Sequence, residues 1–241
     1  MNTYCPCCNA KGKGFRSGWT DHELVVKYDI IGMGRRYNRN CNLCNCNDRE
    51  RLVTLYLKEY VLSKDFEKIK ILHIAPENML ASILEKDKRI DYVKGDKFRE
   101  EFDEWYNYPN TIEMDIRSIP FDEGTFDFVI CNHVLEHIED DILAMNEIYR
   151  VLKKDGQAIL QVPIADKLEK TYEDKSIQTK EMRTHHFAQK NHVRIYARDY
   201  TERLKSTGFA VEVFSFTEKY GNDFSEEQWL NPKEKIILCK K

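Results

Sequence analysis

Glycine is scarce in most of this sequence. Only 10 of the 241 residues are glycine, which is about 4% against a typical ~7%. Five of the ten lie near the N-terminus, at Gly12, Gly14, Gly18, Gly32 and Gly34. The rest of the chain has no two glycines close enough for a P-loop or a G-x-G-x-x-G motif, so the common glycine-rich phosphate loops are excluded.

Long apolar runs are also missing. No stretch approaches the ~18 apolar residues of a membrane span, and the first residues, MNTYCPCCNA, lack the apolar core of a signal peptide. We therefore expect a cytoplasmic protein that has no contact with a membrane. In a reducing compartment, clustered cysteines indicate metal binding rather than disulfides.

Cysteines are abundant at one end, because six of the eight lie in the first 46 residues. Cys5 and Cys8 form one C-x-x-C pair, and Cys41 and Cys44 form another. Four thiolates complete a tetrahedral zinc shell and leave no open position for water, which predicts a structural zinc ion. Cys7 and Cys46 are spare and leave the register of the site open. Free cysteines on a mobile tail and a thiol redox switch are the other interpretations.

The first 48 residues are predicted to form a zinc ribbon. The alternating run Leu24–Tyr28 fits a strand of a small hairpin. Residues 1–60 carry ten Lys/Arg and six Asp/Glu, whereas the remainder is acidic. This mild basic excess permits a nucleic-acid contact of the ribbon but does not require one. A helical pattern begins at Asp48, so residues 49–67 are expected to form a helix that joins the ribbon to a larger domain, residues 68–241.

The larger domain alternates strand-like and helix-like segments. Strands are predicted at 69–75, 90–93, 111–114, 125–131, 157–162, 211–216 and 235–239, and the main helices at 138–152 and 198–207. This alternation indicates an α/β fold with a parallel sheet covered by helices on both faces. In such sheets a ligand binds beyond the carboxyl ends of the strands.

Two segments of this domain resemble a known family. Met114–Ile138 (MDIRSIPFDEGTFDFVICNHVLEHI) and Glu147–Pro163 (EIYRVLKKDGQAILQVP) are similar to the central block of class I S-adenosylmethionine-dependent methyltransferases of type 11. The cysteine-rich start resembles a subset of bacterial methyltransferases with an N-terminal zinc ribbon. The resemblance implies a Rossmann-like sheet of seven strands, mostly parallel with the last antiparallel, and S-adenosyl-L-methionine as the cofactor.

The resemblance also implies a cofactor site. The family's acidic residue and glycine-rich turn after the first strand correspond here to His73, Ala75 and Glu77. Glu77 could supply the missing carboxylate to the cofactor's ammonium group, or it could be an exposed acid at a helix N-terminus. This turn departs from the family pattern.

Further along the chain, the resemblance places Asp96 at the ribose hydroxyls and Asp115 at the adenine amino group. Ile116 would pack on the adenine ring. The residues after the fourth strand, Asn132, His133 and Val134, would border the cofactor.

Catalytic residues are harder to predict. His192, and more weakly His185 and His186, are candidates for a general base because imidazole titrates near neutrality. They belong to the polar segment 164–195, which is expected to contact the acceptor or to close over it. Glu136 and His137 are adjacent in sequence and are expected to point in different directions on a helix, so they are not expected to share a metal ion.

The predicted function is methyl transfer to an oxygen or nitrogen nucleophile of a small molecule or sugar. One alternative is an rRNA or tRNA methyltransferase that uses its ribbon to bind RNA. Another is a non-catalytic adaptor that has lost its cofactor turn. The sequence indicates neither the acceptor nor the oligomeric state.

Overall fold

A computed structural model describes residues 3–18, 21–97 and 109–241, apart from the side chain of Asn38. The strands are β1 (Phe15–Gly18), β2 (Ile30–Ile31), β3 (Arg36–Cys41), β4 (Ile69–Ile74), β5 (Ile90–Asp96), β6 (Ile112–Glu113), β7 (Phe126–Asn132), β8 (Leu152–Gln161), β9 (Ile164–Ala165), β10 (Tyr172–Glu173), β11 (Arg194–Ile195), β12 (Ala210–Phe214) and β13 (Ile236–Lys240). The helices are α1 (Glu23–Tyr28), α2 (Asp48–Tyr56), α3 (Asn78–Lys86), α4 (Asp141–Val151), α5 (Lys180–Phe187), α6 (Tyr200–Lys205), α7 (Phe216–Tyr220) and α8 (Asn222–Glu227).

The central sheet of the described residues has seven strands in the order β12-β13-β8-β7-β4-β5-β6. β4 pairs in parallel with both β5 and β7, and β13 runs antiparallel to β8 and β12. This arrangement confirms the predicted fold class. The chain reverses its direction of travel through the sheet beside β4, so the edge beyond β4, β5 and β7 is the switch point at which such folds bind ligands.

Apolar side chains project from both faces of the sheet, and both faces are buried from water. Leu72 and Val129 face one core cluster, which includes α4, whereas Ile71 and Phe128 face the other, which includes α2 and α3. The alternation follows from the period of two in a strand. Each fully buried side chain of this size contributes roughly 1.5–3 kcal/mol relative to exposure. The strands therefore hold their carboxyl ends in fixed positions.

Helix α2 joins the cysteine-rich segment to this sheet. Asn47 caps it: the Asn47 side chain accepts a hydrogen bond from the Glu50 N–H, and the Glu50 side chain accepts one from the Asn47 N–H. This capping box fixes the first turn. Leu52 and Leu55 then pack with Ile71 of β4 in the second core cluster. The helix continues through a π-helical turn, Leu57–Val61.

The predicted strand at 24–28 is wrong, because these residues form helix α1. The His22 side chain accepts a hydrogen bond from the Leu24 N–H at the start, and Asp29 ends the helix in a left-handed conformation with φ 49°. The two caps and the burial of Val25 outweigh the weak alternation of the sequence. The ribbon hairpin is instead β1 paired with β3.

Residues 21–34 lie between the hairpin strands β1 and β3 in the sequence, but they pack against the larger domain. β2 pairs antiparallel with β9, at the start of the predicted acceptor segment. Val25 and Ile30 pack there with Ala165, Phe187 and Ile195. The N-terminal region is thus part of the wall around the edge of the sheet.

Candidate functional site

A cavity of about 800 Å³ lies beyond the carboxyl ends of β4, β5 and β7. Its walls come from these strand ends, from the N-terminal region between Gly32 and Glu50, and from the segment around His192. Of the residues expected to bind the cofactor, all but one line it: Ala75, Glu77, Asp96, Asp115, Ile116, Asn132, His133 and Val134. The structure therefore brings together residues that are up to 59 positions apart in the sequence.

The turn after β4 has a backbone conformation that glycine favours, although an alanine occupies the position. Ala75 has φ 50°, in the left-handed region that a residue with a Cβ rarely adopts. Its N–H donates to the carbonyl of Gly95 at 2.9 Å, which ties the turn to the end of β5. The departure from the family pattern at this position thus changes the side chain and keeps the conformation.

Glu77 follows this turn and points a carboxylate into the cavity. Its Oε2 accepts hydrogen bonds from His73 at 2.9 Å and from the Asn132 side-chain amide at 3.2 Å. Burial raises the pKa of Glu77, but the hydrogen bond with His73 and the charge of Arg49 outweigh it, so the pKa is below its ordinary value. Glu77 is therefore ionised at neutral pH.

Two buried acceptors of this group have no hydrogen-bond partner among the described residues: Oε1 of Glu77, which lies 3.8 Å from Nε of Arg49, and Oδ1 of Asn132. A buried polar atom without a hydrogen bond costs about 1–3 kcal/mol, so such atoms are rare in folded proteins. A cationic donor, such as an ammonium group, would satisfy both.

His73 lies outside the cavity, contrary to the expectation that it contacts the cofactor. Its side chain is fully buried behind Glu77. Nδ1 lies 2.7 Å from the Tyr92 hydroxyl, which can donate to it and so leave Nε2–H to donate to Glu77. His73 thus positions Glu77. The physical reason is that His73 lies within β4, where its side chain projects from one face of the sheet. The residues that follow the end of the strand are the ones that reach the cavity.

The two aspartates expected at the nucleoside differ in their surroundings. Asp96 ends β5 and accepts a hydrogen bond from the N–H of Lys97. Asp115 pairs with Arg117 through both oxygens and with Lys97 Nζ at 2.8 Å. The Arg117 hydrogen bonds hold the pKa of Asp115 well below its usual range. Since a carboxylate has about four acceptor sites, an adenine amino group would have to share Asp115 with these cations.

His133 lies where the N-terminal region closes over β7. Its backbone has φ 53°, and its N–H donates to the carbonyl of Gln161 at 2.7 Å. A Cβ on Gly32, which has φ 88°, would lie 3.0 Å from the His133 ring, so only glycine fits there. Burial and the charges of Arg49 and Arg36 lower the pKa of His133 well below its ordinary value. The ring is neutral at pH 7.

Glu136, His137 and His192 come together at one side of the cavity. Their ligand atoms lie within 4.8 Å of one another, and all three residues line the cavity. The expectation that Glu136 and His137 do not share a site is wrong, because one ligand atom of each lies within 4.8 Å of the other, even though successive residues of the 3₁₀ turn Leu135–His137 project about 120° apart. Burial raises the pKa of Glu136 to about 8 and lowers that of His192 well below its ordinary value.

The other two candidate bases lie elsewhere. His185 and His186 are in the last turn of α5 and do not line the cavity. His185 is exposed, and Nδ1 of His186 lies 2.9 Å from the Tyr172 hydroxyl. Helix α5 turns its one fully buried residue, Phe187, toward the core cluster with Val25. Both histidines consequently face away from the reacting groups.

Three arginines of the N-terminal region line the cavity, and the sequence analysis missed them. Arg36 pairs with Asp48 at 2.6 Å, and Arg49 lies 3.8 Å from Glu77. Nη1 of Arg36 and Nε of Arg49 are buried without a hydrogen-bond partner. Burial and the neighbouring charge of Arg36 lower the pKa of Arg39 to about 10. These three arginines form a cationic wall of the cavity, in which Arg36 and Arg49 already face the carboxylates of Asp48 and Glu77.

The four predicted zinc ligands also come together. The Sγ atoms of Cys5, Cys8, Cys41 and Cys44 lie within 4.8 Å of one another, and Cys5–Cys44 and Cys8–Cys41 are each 3.9 Å apart. Sulfurs around one zinc ion lie about 3.8 Å apart, given Zn–S bonds of about 2.3 Å. Cys7 and Cys46 form a second group with Cys5, so the geometry leaves the alternative register open.

Comparisons with known proteins agree with the fold. The family described as "Methyltransferase domain" matches residues 73–160, which confirms the resemblance seen in the sequence over those residues. An uncharacterized protein of Methanocaldococcus jannaschii is 45% identical over 53 residues, which are 22% of this chain and 23% of that protein. The chain thus matches less than a quarter of the length of this curated relative.

Solved structures resemble this chain at low sequence identity. A chain from a complex between the Haloferax volcanii Trm112 methyltransferase activator and a methyltransferase is 13% identical, with 80% of this chain and 93% of that chain covered and a TM-score of 0.50. A SAM-dependent methyltransferase from Archaeoglobus fulgidus is 13% identical, with 92% and 100% covered and a TM-score of 0.49. At this identity the likeness concerns the fold alone.

None of the helices in the described residues combines the length and the apolar character that crossing a bilayer requires.

Proposed function

We propose that this protein, which contains a class I methyltransferase domain, transfers a methyl group from S-adenosyl-L-methionine to an oxygen or nitrogen nucleophile of a small molecule or sugar. The observation that carries the proposal is the pair of unsatisfied acceptors on Glu77 and Asn132, at the edge of the sheet where the fold binds ligands. S-adenosyl-L-methionine, when bound, supplies a methyl group activated by a sulfonium.

The residues around the cavity fit this cofactor in charge and shape. Glu77 and Asn132 would accept hydrogen bonds from its ammonium group, and Asp96 would accept them from the ribose hydroxyls. Ile116 and Val134 offer apolar surface to the adenine. The chain's main contribution to the reaction is then to hold the donor and the acceptor in line and to exclude water.

The N-terminal region has two proposed roles. Residues 1–48 contain a zinc ribbon in which Cys5, Cys8, Cys41 and Cys44 hold the ion, and from which residues 21–34 extend to pack on the larger domain. Residues 49–67 link the ribbon to the methyltransferase domain, 68–241. Because Arg36 and Arg39 of the ribbon and Arg49 of α2 line the cavity, the N-terminal region also contributes a cationic wall to the acceptor site. We accordingly expect an acceptor that carries a carboxylate or a phosphate.

The same arginines favour one rival, an rRNA or tRNA methyltransferase whose ribbon contacts the phosphates of RNA. RNA binding that weakens steeply as salt rises would support this rival, whereas a small acidic acceptor predicts no stable RNA complex. A non-catalytic adaptor is disfavoured, because it has no use for partly unsatisfied acceptors in a cavity.

The test is a search for the acceptor. The purified protein is incubated with methyl-labelled cofactor and fractionated metabolite pools, and labelled products are identified by mass spectrometry. We expect acidic products that Asp96→Ala abolishes and that the exposed-site variant Glu226→Gln leaves unchanged. Labelled RNA with unlabelled small molecules would favour the rival, and no labelled product from either pool would contradict the proposal.

A further inference from the structure

We infer that Glu136, His137 and His192 form a binding site for one divalent first-row transition-metal ion on the acceptor side of the cavity. This site is separate from the cysteine cluster. Two imidazoles and one carboxylate are a common ligand set for such ions and leave positions for water or substrate. The ligand atoms lie within 4.8 Å of one another, and an ion with bonds of about 2.1 Å spans ligands up to ~4.2 Å apart, so small side-chain movements complete the shell.

The orientation of His137 suits a metal ligand. Its Nδ1 lies 3.1 Å from the carbonyl oxygen of Asn191, which can only accept, so Nδ1 carries the hydrogen. In the neutral ring Nε2 then bears the lone pair. Metal-binding histidines are usually fixed in this way, by a hydrogen bond from the other ring nitrogen to a carbonyl or a carboxylate.

His192 is fixed by packing. It lies edge-on against His137 with ring centroids 4.7 Å apart. The side chain is almost completely buried, so its orientation is constrained by the groups around it. One imidazole is therefore held at the cavity by a backbone carbonyl and the other by burial.

Glu136 provides the observation that points most directly to a ligand. Its side chain is only 2% exposed, and Oε2 is buried without a hydrogen-bond partner. The other oxygen lies 3.3 Å from Nδ1 of His133. Among the described residues, this buried carboxyl oxygen beside two imidazoles has no partner, and a metal ion that displaces the carboxyl proton would satisfy it.

The backbone that carries the three ligands is braced. The Val193 N–H donates to the carbonyl of Glu136 at 2.9 Å. Arg194 reaches across and donates to the carbonyls of Leu135 and Glu139. The 3₁₀ turn and the segment of His192 are thus joined, which preorganises a site whose ligands are 55 residues apart.

The consequence for the acceptor rests on the proposed methyl transfer. An ion here would lower the pKa of an acceptor hydroxyl that reaches it, as zinc lowers that of bound water. The hydroxyl proton passes to solvent, the oxygen forms a bond to the methyl carbon, and the carbon–sulfur bond breaks with its electron pair left on sulfur. The proposal therefore favours an oxygen acceptor over a nitrogen acceptor.

The test uses Mn²⁺ as the probe with the full chain purified with its zinc, because thiolate sites prefer softer ions. Free Mn²⁺ is measured by electron paramagnetic resonance during titration. We expect one bound equivalent in the wild type and at least about tenfold weaker binding in Glu136→Gln and His137→Gln. His186→Gln, a histidine outside the cavity, is the matched control and keeps wild-type affinity.

Two results would overturn the metal site: no Mn²⁺ binding up to millimolar concentration, or unchanged affinity in both ligand variants. Circular dichroism on the same samples establishes which variants are folded, and His192→Gln replaces any variant that is not. Binding of S-adenosylhomocysteine is measured in parallel. Mn²⁺ binding without S-adenosylhomocysteine binding would leave the metal site standing and remove the proposed methyl transfer.

Discussion

At the scale of single residues, Ala75 stands where the family usually has glycine. The main consequence is strain in the backbone of this turn rather than the loss of a contact. Ala75 holds φ 50°, which costs a residue with a Cβ roughly 1 kcal/mol relative to glycine. The strain is maintained by the hydrogen bond to Gly95 and by Glu77, which is held in turn by His73 and Asn132. Strained backbone of this kind is typical of functional sites.

We predict that Ala75→Gly raises the free energy of unfolding by about 1 kcal/mol, because glycine adopts the left-handed conformation without the steric cost. Urea denaturation measures the change. Ala81→Gly, the same substitution inside helix α3, is the control and should be destabilising by about 1 kcal/mol or more. A loss of stability in Ala75→Gly as large as in the control would contradict the account of the turn.

Glu77 should contribute to ligand binding more than to folding. We predict that Glu77→Gln weakens S-adenosylhomocysteine binding at least about tenfold, equivalent to ~1.4 kcal/mol, because it removes the charge that faces the ammonium group. Calorimetric titration gives the affinity, and Glu226→Gln serves as the exposed control. Wild-type affinity in a folded Glu77→Gln protein would remove Glu77 from the site.

At the scale of elements, one glutamate of α2 supports two helices. Glu50 accepts from the Asn47 N–H at its own helix start and from the Met79 N–H in the first turn of α3, at 3.1 Å. Helix α3 has no side-chain cap of its own at Glu77, which leaves Glu77 for the cavity. Burial raises the pKa of Glu50 to about 7, so Glu50 is partly protonated near neutrality.

This pKa predicts how stability depends on pH. Since the folded value of about 7 is above the ordinary 4.5, the contribution of Glu50 is fully present below pH 4.5 and is lost as pH rises through 7. The loss is at most about 3 kcal/mol, at ~1.4 kcal/mol per pH unit. We predict that Glu50→Gln flattens the fall in the free energy of unfolding between pH 5 and 8, measured by denaturation. An equally steep fall in the variant would refute this assignment.

Helices and strands were predicted correctly where a single short sequence pattern determines them. The apolar runs of β4, β7 and β13 specified the strands, and the order of strands and helices specified the sheet. Residues 24–28 were mispredicted because alternation over five residues is weaker evidence than two helix caps and one buried valine. Local periodicity is reliable when burial on both faces of a sheet reinforces it.

The candidate site was predictable only in part, for a different reason. The resemblance to the methyltransferase family pointed to Asp96, Asp115 and Asn132, which the structure places at the cavity, and their contact with a cofactor stays a prediction. The wall from the N-terminal region was not predicted, because no local pattern shows that Arg36 and Arg49 would face β4. The approach of His192 to Glu136 depends likewise on contacts between distant segments.

At the scale of the whole molecule, the cysteine cluster and the cavity are neighbours. Cys44 lines the cavity together with Arg39 and Arg49, so a zinc ion at the cluster would fix the cationic wall as well as the ribbon. Arg51 also connects the cysteine cluster to the C-terminal part of the larger domain, because it donates to the carbonyls of Cys46 and Trp229. Loss of the metal should consequently affect both stability and the cavity.

We predict that the purified protein contains at least one equivalent of zinc, and that Cys8→Ser lowers both the zinc content and the melting temperature. Elemental analysis and thermal denaturation are the measurements. Cys7→Ser is the matched control, since the predicted shell does not include Cys7. Loss of zinc in Cys7→Ser with retention in Cys8→Ser would establish the other register, and less than half an equivalent in the wild type would contradict the zinc site.

The central claim is that the cavity beyond β4, β5 and β7 binds S-adenosyl-L-methionine. Calorimetric titration with S-adenosylhomocysteine tests it most directly, because binding requires neither the acceptor nor turnover. We predict one bound equivalent, with affinity at least about tenfold weaker in a folded Asp96→Ala protein. No detectable binding up to millimolar ligand, or wild-type affinity in Asp96→Ala, would contradict it.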